Sequence, residues 1–263
     1  MRADVVALKA FYASPLGMAA ARQIARAIAD LWPDLSGQTV VGIGYPPPLL
    51  DPIRETAGAD RVLALMPAEQ GAWAWPEGAP GATALMREGQ LPLADRSADR
   101  ILLLHALEDV AAVQPFLREI WRVLSDSGRL LAIAANRRGL WCRADTGPFG
   151  YGRPFSQGQL KATLQSAMFA VEQETHALYA PPSRRGLASA DAVERFGRRW
   201  LGAFGGVVMI DASKSLYGAA STNGARKAAR QSGLAGAAAE SPSVKAERAD
   251  GRAPPPGAPA DDG

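Results

Sequence analysis

The stretch that most restricts the fold runs from Asp99 to Ala135. Asp99-Arg100-Ile101-Leu102-Leu103-Leu104-His105 is apolar without alternation, the pattern of a strand covered on both faces. Val110 to Leu124 follows, with Val113, Phe116, Leu117, Ile120, Val123 and Leu124 at helical spacing, and Ser127-Gly128 closes it. Arg129 to Ala135, RLLAIAA, is a second buried strand. Strand, helix and strand in this order make a βαβ unit, so the sheet is mostly parallel.

The alternation extends both ways. Asp4 to Tyr12 reads as a short helix, and Ser14-Pro15 starts another, with Leu16, Ala20, Ile24, Ile28 and Leu31 on one face and Pro33 beyond its end. Gln38 to Ile43 is a strand, Leu49 to Ala57 a helix after a run of prolines, Arg61 to Met66 a strand and Ala82 to Met86 a short one. Further on, Ser156 to Phe169 is a helix capped by Ser156, Val171 to Tyr179 a strand, and Ala190 to Ala203 a helix. Val207 to Ser213 is the last strand, with an antiparallel place at the sheet edge open to it. The expected fold is α/β: a Rossmann-like, doubly wound, mostly parallel sheet of about seven strands flanked by helices.

Composition sets the limits. The 263 residues, 48% hydrophobic, suffice for one sizeable core. From Ser221 the chain lacks aromatic residues and nearly all large aliphatic ones, so 221–263 is expected to be a disordered tail. Residues 1–35 form N-terminal helices and 36–220 the α/β domain. A net charge of +3 is too weak a field to mark a nucleic-acid binder. The single cysteine, Cys142, and two histidines, His105 and His176, speak against a disulfide or a zinc site. No apolar run is long enough to span a membrane and the start has no secretory pattern, so a cytoplasmic protein is expected.

In an open α/β sheet, ligands bind at the carboxyl ends of the strands. There the residues resemble a known family. Leu91-Pro92-Leu93, Ser97-Ala98-Asp99, His105-Ala106-Leu107-Glu108, Leu117-Arg118-Glu119, Arg122-Val123-Leu124 and Gly128 follow, at matching spacings, the second half of class I S-adenosylmethionine-dependent methyltransferases of the type 11 kind. The resemblance covers roughly residues 10 to 215. It implies S-adenosylmethionine as cofactor and a small-molecule acceptor, with no catalytic residue singled out. The oligomeric state stays open.

The cofactor half departs from that family. Its first motif resembles an acid followed by three spaced glycines; here Gly42 stands at the acidic position, Gly44 at the first glycine, and Pro46 and Pro48 at the other two. Proline has no N–H and a fixed φ, so the usual glycine turn cannot form. A helix starting beyond Pro48 could still hold a carboxylate through its N-terminus, with Tyr45 at the bend. The family's ribose-binding acid is replaced by Met66, with Glu69 three residues on. At the adenine-facing position strict counting gives Arg87, and a shift of one residue gives Glu88. The cofactor contacts named by resemblance are therefore Gly42, Gly44, Tyr45, Glu69, Glu88 and His105.

On the substrate side, Tyr12, Trp141, Phe149 and Tyr151 are candidates for an aromatic pocket that suits a small organic or lipid-like molecule. Arg184, Arg185, Arg195, Arg198 and Arg199 make the stretch from Pro181 to Arg199 locally basic. Two functions follow: a methyltransferase, or a catalytically inactive binding or regulatory module on the same fold.

Overall fold

The computed structural model describes residues 3–144, 147–183 and 190–215. The expected tail at 221–263 lies outside the described residues, as do Arg184 and Arg185. Two helices come first, α1 (Val5–Ala13) and α2 (Pro15–Leu31). Then follow β1 (Thr39–Gly44), α3 (Pro47–Thr56), β2 (Arg61–Pro67), β3 (Thr83–Met86), β4 (Ala98–Leu104), α4 (Val113–Val123) and β5 (Leu124–Ala135). The remaining elements are α5 (Gln157–Ser166), β6 (Phe169–Ala177), α6 (Ala190–Trp200) and β7 (Val207–Lys214).

The seven strands form one sheet in the order β3-β2-β1-β4-β5-β7-β6. The first five run parallel, and β7 is antiparallel to both of its neighbours. So β7 has the expected direction but another place: it lies between β5 and β6, and β6 is the edge strand. From β1 the chain winds outward through β2 and β3; from β4 it winds the other way. The switch point is the seam between β1 and β4, where Gly44 pairs with Leu104.

Alternate strand residues feed two cores, because successive side chains point to opposite faces. Val40, Ala64, Met66, Leu102, Leu104 and Ile133 pack with α1, α2 and α3. Val41, Ile43, Leu65, Ile101, Leu103 and Ala132 pack with α4 and α5. The apolar face of α4 carries Phe116, Leu117, Ile120 and Val123, all buried. The helix itself starts at Val113, three residues later than expected, and ends before Leu124, which already belongs to the strand ladder.

The corner between α1 and α2 sets up the site. Asp4 caps α1, its Oδ1 accepting the Ala7 N–H at 2.8 Å. Ser14 ends α1 and caps α2, accepting the Gly17 N–H at 3.1 Å. A Cβ on Gly17 would stand 2.0 Å from the Phe11 carbonyl oxygen, so only glycine permits this close turn. The corner leaves α1 lying over the ends of the central strands. There the Val5 N–H donates to the Gln70 carbonyl at 2.9 Å. Both helices belong to one compact unit with the sheet, Met1–Ala219.

Candidate functional site

At the seam, Gly44 ends β1 with φ +99°, and a Cβ there would meet the Leu104 carbonyl oxygen at 2.1 Å. The next N–H, of Tyr45, donates to that oxygen at 2.9 Å and ties the two strand ends together. Gly44 is thus required by a positive φ and a close backbone approach. Gly42 has a different reason. A Cβ on it would lie 2.3 Å from Pro46 Cβ, so the proline of the loop folds back over the position where the family has its acid.

The prolines do not precede α3, as expected, but form its first turn. Pro46 is the cap residue, and Pro47 and Pro48 follow inside the helix. Proline suits a first turn because its missing N–H is one of the helix's free donors. Here three such donors are missing at once. The next one, of Leu49, is already bonded to the Pro46 carbonyl at 2.9 Å, and Leu50 bonds the same oxygen at 3.0 Å. The turn therefore has no free N–H to offer an anion, contrary to the expectation that this helix end could hold a carboxylate.

The residues over the seam form one aromatic cluster. The Tyr12 ring, from α1, stacks on Tyr45 with centroids 5.8 Å apart and 19° between planes. Its hydroxyl lies 2.8 Å from His105 Nε2. The His105 ring packs at 4.8 Å on Phe149, which meets Trp141 edge-on at 5.5 Å. His105 follows β4 with φ +51°, a left-handed conformation uncommon outside glycine and found where a site constrains the chain. Burial lowers its pKa to about 3, so the ring is neutral. Burial also raises the Tyr12 pKa well above normal, helped by the charge of Glu108.

Two residues that the sequence did not single out complete the site. Gln70 is buried, and its Nε2 donates to the Gly44 carbonyl at 3.0 Å; a carbonyl only accepts, which fixes the amide orientation. Its Oε1 is buried without a partner among the described residues. Glu108 is buried after β4, with Oε1 accepting the Ala135 N–H at 2.9 Å. Its Oε2 is buried and has no hydrogen bond of good geometry. Burial raises the Glu108 pKa to about 7, and the N–H groups of Ala135, Glu108 and Leu107 hold it back from rising further. A small cavity of about 10 Å³, room for one water-sized group, joins Gln70, His105 and Glu108, with Leu8 of α1, Pro148 and Tyr151 completing it.

The other expected contacts lie apart. Glu69 is exposed on the loop after β2. Glu88 is half-buried, and its Oε2 accepts the Ala111 N–H at 3.2 Å, fastening the 87–90 turn to the approach of α4. Met66 is fully buried, and its sulfur accepts the Trp73 N–H at 3.4 Å. Of the substrate candidates, Tyr12, Trp141 and Phe149 share the cluster, while Tyr151 is half-exposed at the cavity rim. Glu108 stood inside the His105-Ala106-Leu107-Glu108 match, and Gln70 stood beside Glu69. Nothing local distinguishes either, since burial makes them what they are.

Residues 27–132 match the family model described as a methyltransferase domain. This segment holds both strands of the seam and the residues Gly42, Gly44, Tyr45, Gln70, His105 and Glu108. Over this segment the chain is similar to methyltransferase domains. Solved structures agree with it in fold. A SAM-dependent methyltransferase of Thermotoga maritima is 18% identical, with a TM-score of 0.54 over 79% of this chain and 94% of that one. A chain from the complex of the Haloferax volcanii Trm112 methyltransferase activator with a methyltransferase is 17% identical, with a TM-score of 0.55 over 81% and 97%. An S-adenosylmethionine-dependent methyltransferase from Mesorhizobium loti is 15% identical, with a TM-score of 0.53 over 78% and 100%. The [4+2]-cyclase SpnF shares the fold at a TM-score of 0.51 and 18% identity, so this architecture also carries other chemistry. No curated protein sequence matches the chain. No helix among the described residues is long and apolar enough to cross a membrane.

The cofactor that such a domain implies can be tested against these residues. S-adenosylmethionine carries a sulfonium, an ammonium and a carboxylate. Gln70 and Glu108, each with a buried side-chain oxygen that has no hydrogen bond of good geometry among the described residues, line the cavity. For the carboxylate, the first turn of α3 has no donor to give. For the ribose, Met66 has no acid. The two acceptors suit the charge of the cationic end, the cavity itself has room for one water-sized group only, and neither the carboxylate nor the ribose meets the contacts usual in the family.

Proposed function

We propose that the chain transfers a methyl group from S-adenosylmethionine to a small organic acceptor. The observation that supports this most is that Gln70 and Glu108, each with a buried side-chain oxygen lacking a partner, line one small cavity at the switch point of a methyltransferase fold. A buried polar atom without a partner costs about 1–3 kcal/mol, and a bound cation would recover it. The cofactor supplies an electrophilic methyl on a positive sulfur. The chain's own task is alignment and dryness rather than covalent chemistry. Gln70 and Glu108 meet the positive charge, Leu8 and Tyr12 close the site from above, and Phe149 and Trp141 give it an apolar side for the acceptor.

A second reading, a binding or regulatory module without catalysis, draws support from the donor-free turn of α3 and from Met66. Titration of the full chain with S-adenosylmethionine in a calorimeter separates the two. Binding that weakens at least fivefold in Glu108→Gln supports the proposed site. No heat at millimolar cofactor ends the methyltransferase reading. Binding without turnover across a panel of amine, hydroxyl and carbon acceptors supports the module.

A further inference from the structure

A second cleft lies between α1, α3 and the loop after β2. Its aromatic wall is Tyr12, Tyr45, Trp73 and Trp75, and its volume is about 940 Å³ with its open mouth included. Both indoles are held in place by carboxylates. The Trp75 Nε1–H donates to Asp51 Oδ1 at 2.7 Å, and the Trp73 Nε1–H to Glu77 Oε1 at 3.2 Å. Fixed rings lose little freedom when a ligand arrives.

The charges of the cleft do not balance. Lys9 lies 2.9 Å from Glu77 and 3.1 Å from the Trp73 ring centre, so this pair is neutral within the wall. Among the residues that line the cleft, Arg54 alone then opposes Asp51 and Glu55, and its guanidinium sits 5.8 Å from the Trp75 ring centre. The excess is negative. Tyr45 feels it: burial first, then the charges of Asp51 and Glu77, raise its pKa to about 12. Asp51 is raised as well, by burial first and by the nearby charges of Glu55 and Glu77. Lys9 and Arg54 already show that ring faces here attract cations. Aromatic faces with surplus carboxylate are the chemistry that recognises an ammonium group. An anionic ligand meets repulsion from Asp51 and Glu55, and a neutral one gains only the apolar wall.

We propose that this cleft binds an organic cation, an ammonium group carried on an apolar or aromatic body. The inference does not rest on methyl transfer, because the cleft can be titrated in the absence of S-adenosylmethionine. The probe is 3-phenylpropylammonium, with 3-phenylpropan-1-ol as its neutral counterpart, added to the full chain at pH 7 and followed by tryptophan fluorescence and calorimetry. The expected result is saturable binding of the ammonium with Kd below about 1 mM and at least tenfold weaker binding of the alcohol. Asp51→Asn keeps an acceptor for Trp75 and removes the charge; Glu55→Gln removes a charge at an exposed position. Each should weaken the ammonium at least threefold and leave the alcohol unchanged. Equal binding of the two probes overturns the proposal. So does the absence of saturable binding, or an ammonium affinity unmoved in both variants.

Discussion

The Tyr12 hydroxyl lies 2.8 Å from His105 Nε2, joining the first helix to a strand end 93 residues later. Both groups are buried, and His105 is neutral. One of them donates and the other accepts. The bond fastens α1 over the seam between β1 and β4.

Replacing Tyr12 with Phe removes the hydroxyl and leaves a buried ring nitrogen without its partner. Unfolding by urea should show a loss of about 1–2 kcal/mol. An unchanged midpoint would mean that α1 is held by its apolar contacts alone.

Glu108 and His105 make opposing contributions to stability against pH. Burial raises Glu108 to about 7 in the folded state, from an ordinary 4.5. The native state therefore binds the extra proton, and this contribution to stability is lost as pH rises from about 4.5 to 7. Burial lowers His105 to about 3 from 6.5, so the unfolded state binds the extra proton and stability is lost as pH falls from 6.5 to 3. Between about 4.5 and 6.5 the two slopes cancel. In Glu108→Gln only the His105 slope remains, and stability should rise with pH across that window by up to roughly 1.4 kcal/mol per unit relative to the wild type. Parallel curves for the two proteins would place the ionisation of Glu108 near its ordinary value.

Gly44→Ala puts a Cβ 2.1 Å from the Leu104 carbonyl oxygen at φ +99°. The seam must then open. A destabilisation of at least about 2 kcal/mol is expected in denaturant titration. Gly78, which also has positive φ but has no atom within 4 Å of an added Cβ, should lose less on the same change.

Pro47→Ala with Pro48→Ala returns two N–H groups to the first turn of α3. If the cofactor carboxylate lies at this helix end, S-adenosylmethionine should bind at least fivefold more tightly, as charge-assisted hydrogen bonds are worth about 1.5–3 kcal/mol. Stability should fall by about 0.4–1 kcal/mol per proline through greater freedom of the unfolded chain. Calorimetry and melting read the two effects separately. An unchanged affinity would locate the carboxylate away from α3.

Much of this was legible in the residues. The covered strands Ile101–Leu104 and Leu130–Ala135, the amphipathic α4, and Ser14 and Ser156 as helix caps are local patterns, and local patterns survive folding unchanged. The proline run at 46–48 was legible as a departure from the family, though its consequence was not. That consequence depends on where α3 starts: two residues earlier than the apolar spacing suggests, so that all three missing N–H groups fall on the cap and first turn.

The sequence by itself determined the α/β alternation, the strands covered on both faces and the run of prolines after β1, because each is written in neighbouring residues. Only the tertiary structure decided the contents of the site. It brought Tyr12 to His105, set Gln70 against Gly44, placed Pro46 over Gly42 and buried Glu108 with one oxygen unpartnered. The physical reason is that burial and distant partners, not residue type, set the charge and hydrogen-bonding capacity of a side chain. Both are fixed only when the strand ends and α1 meet.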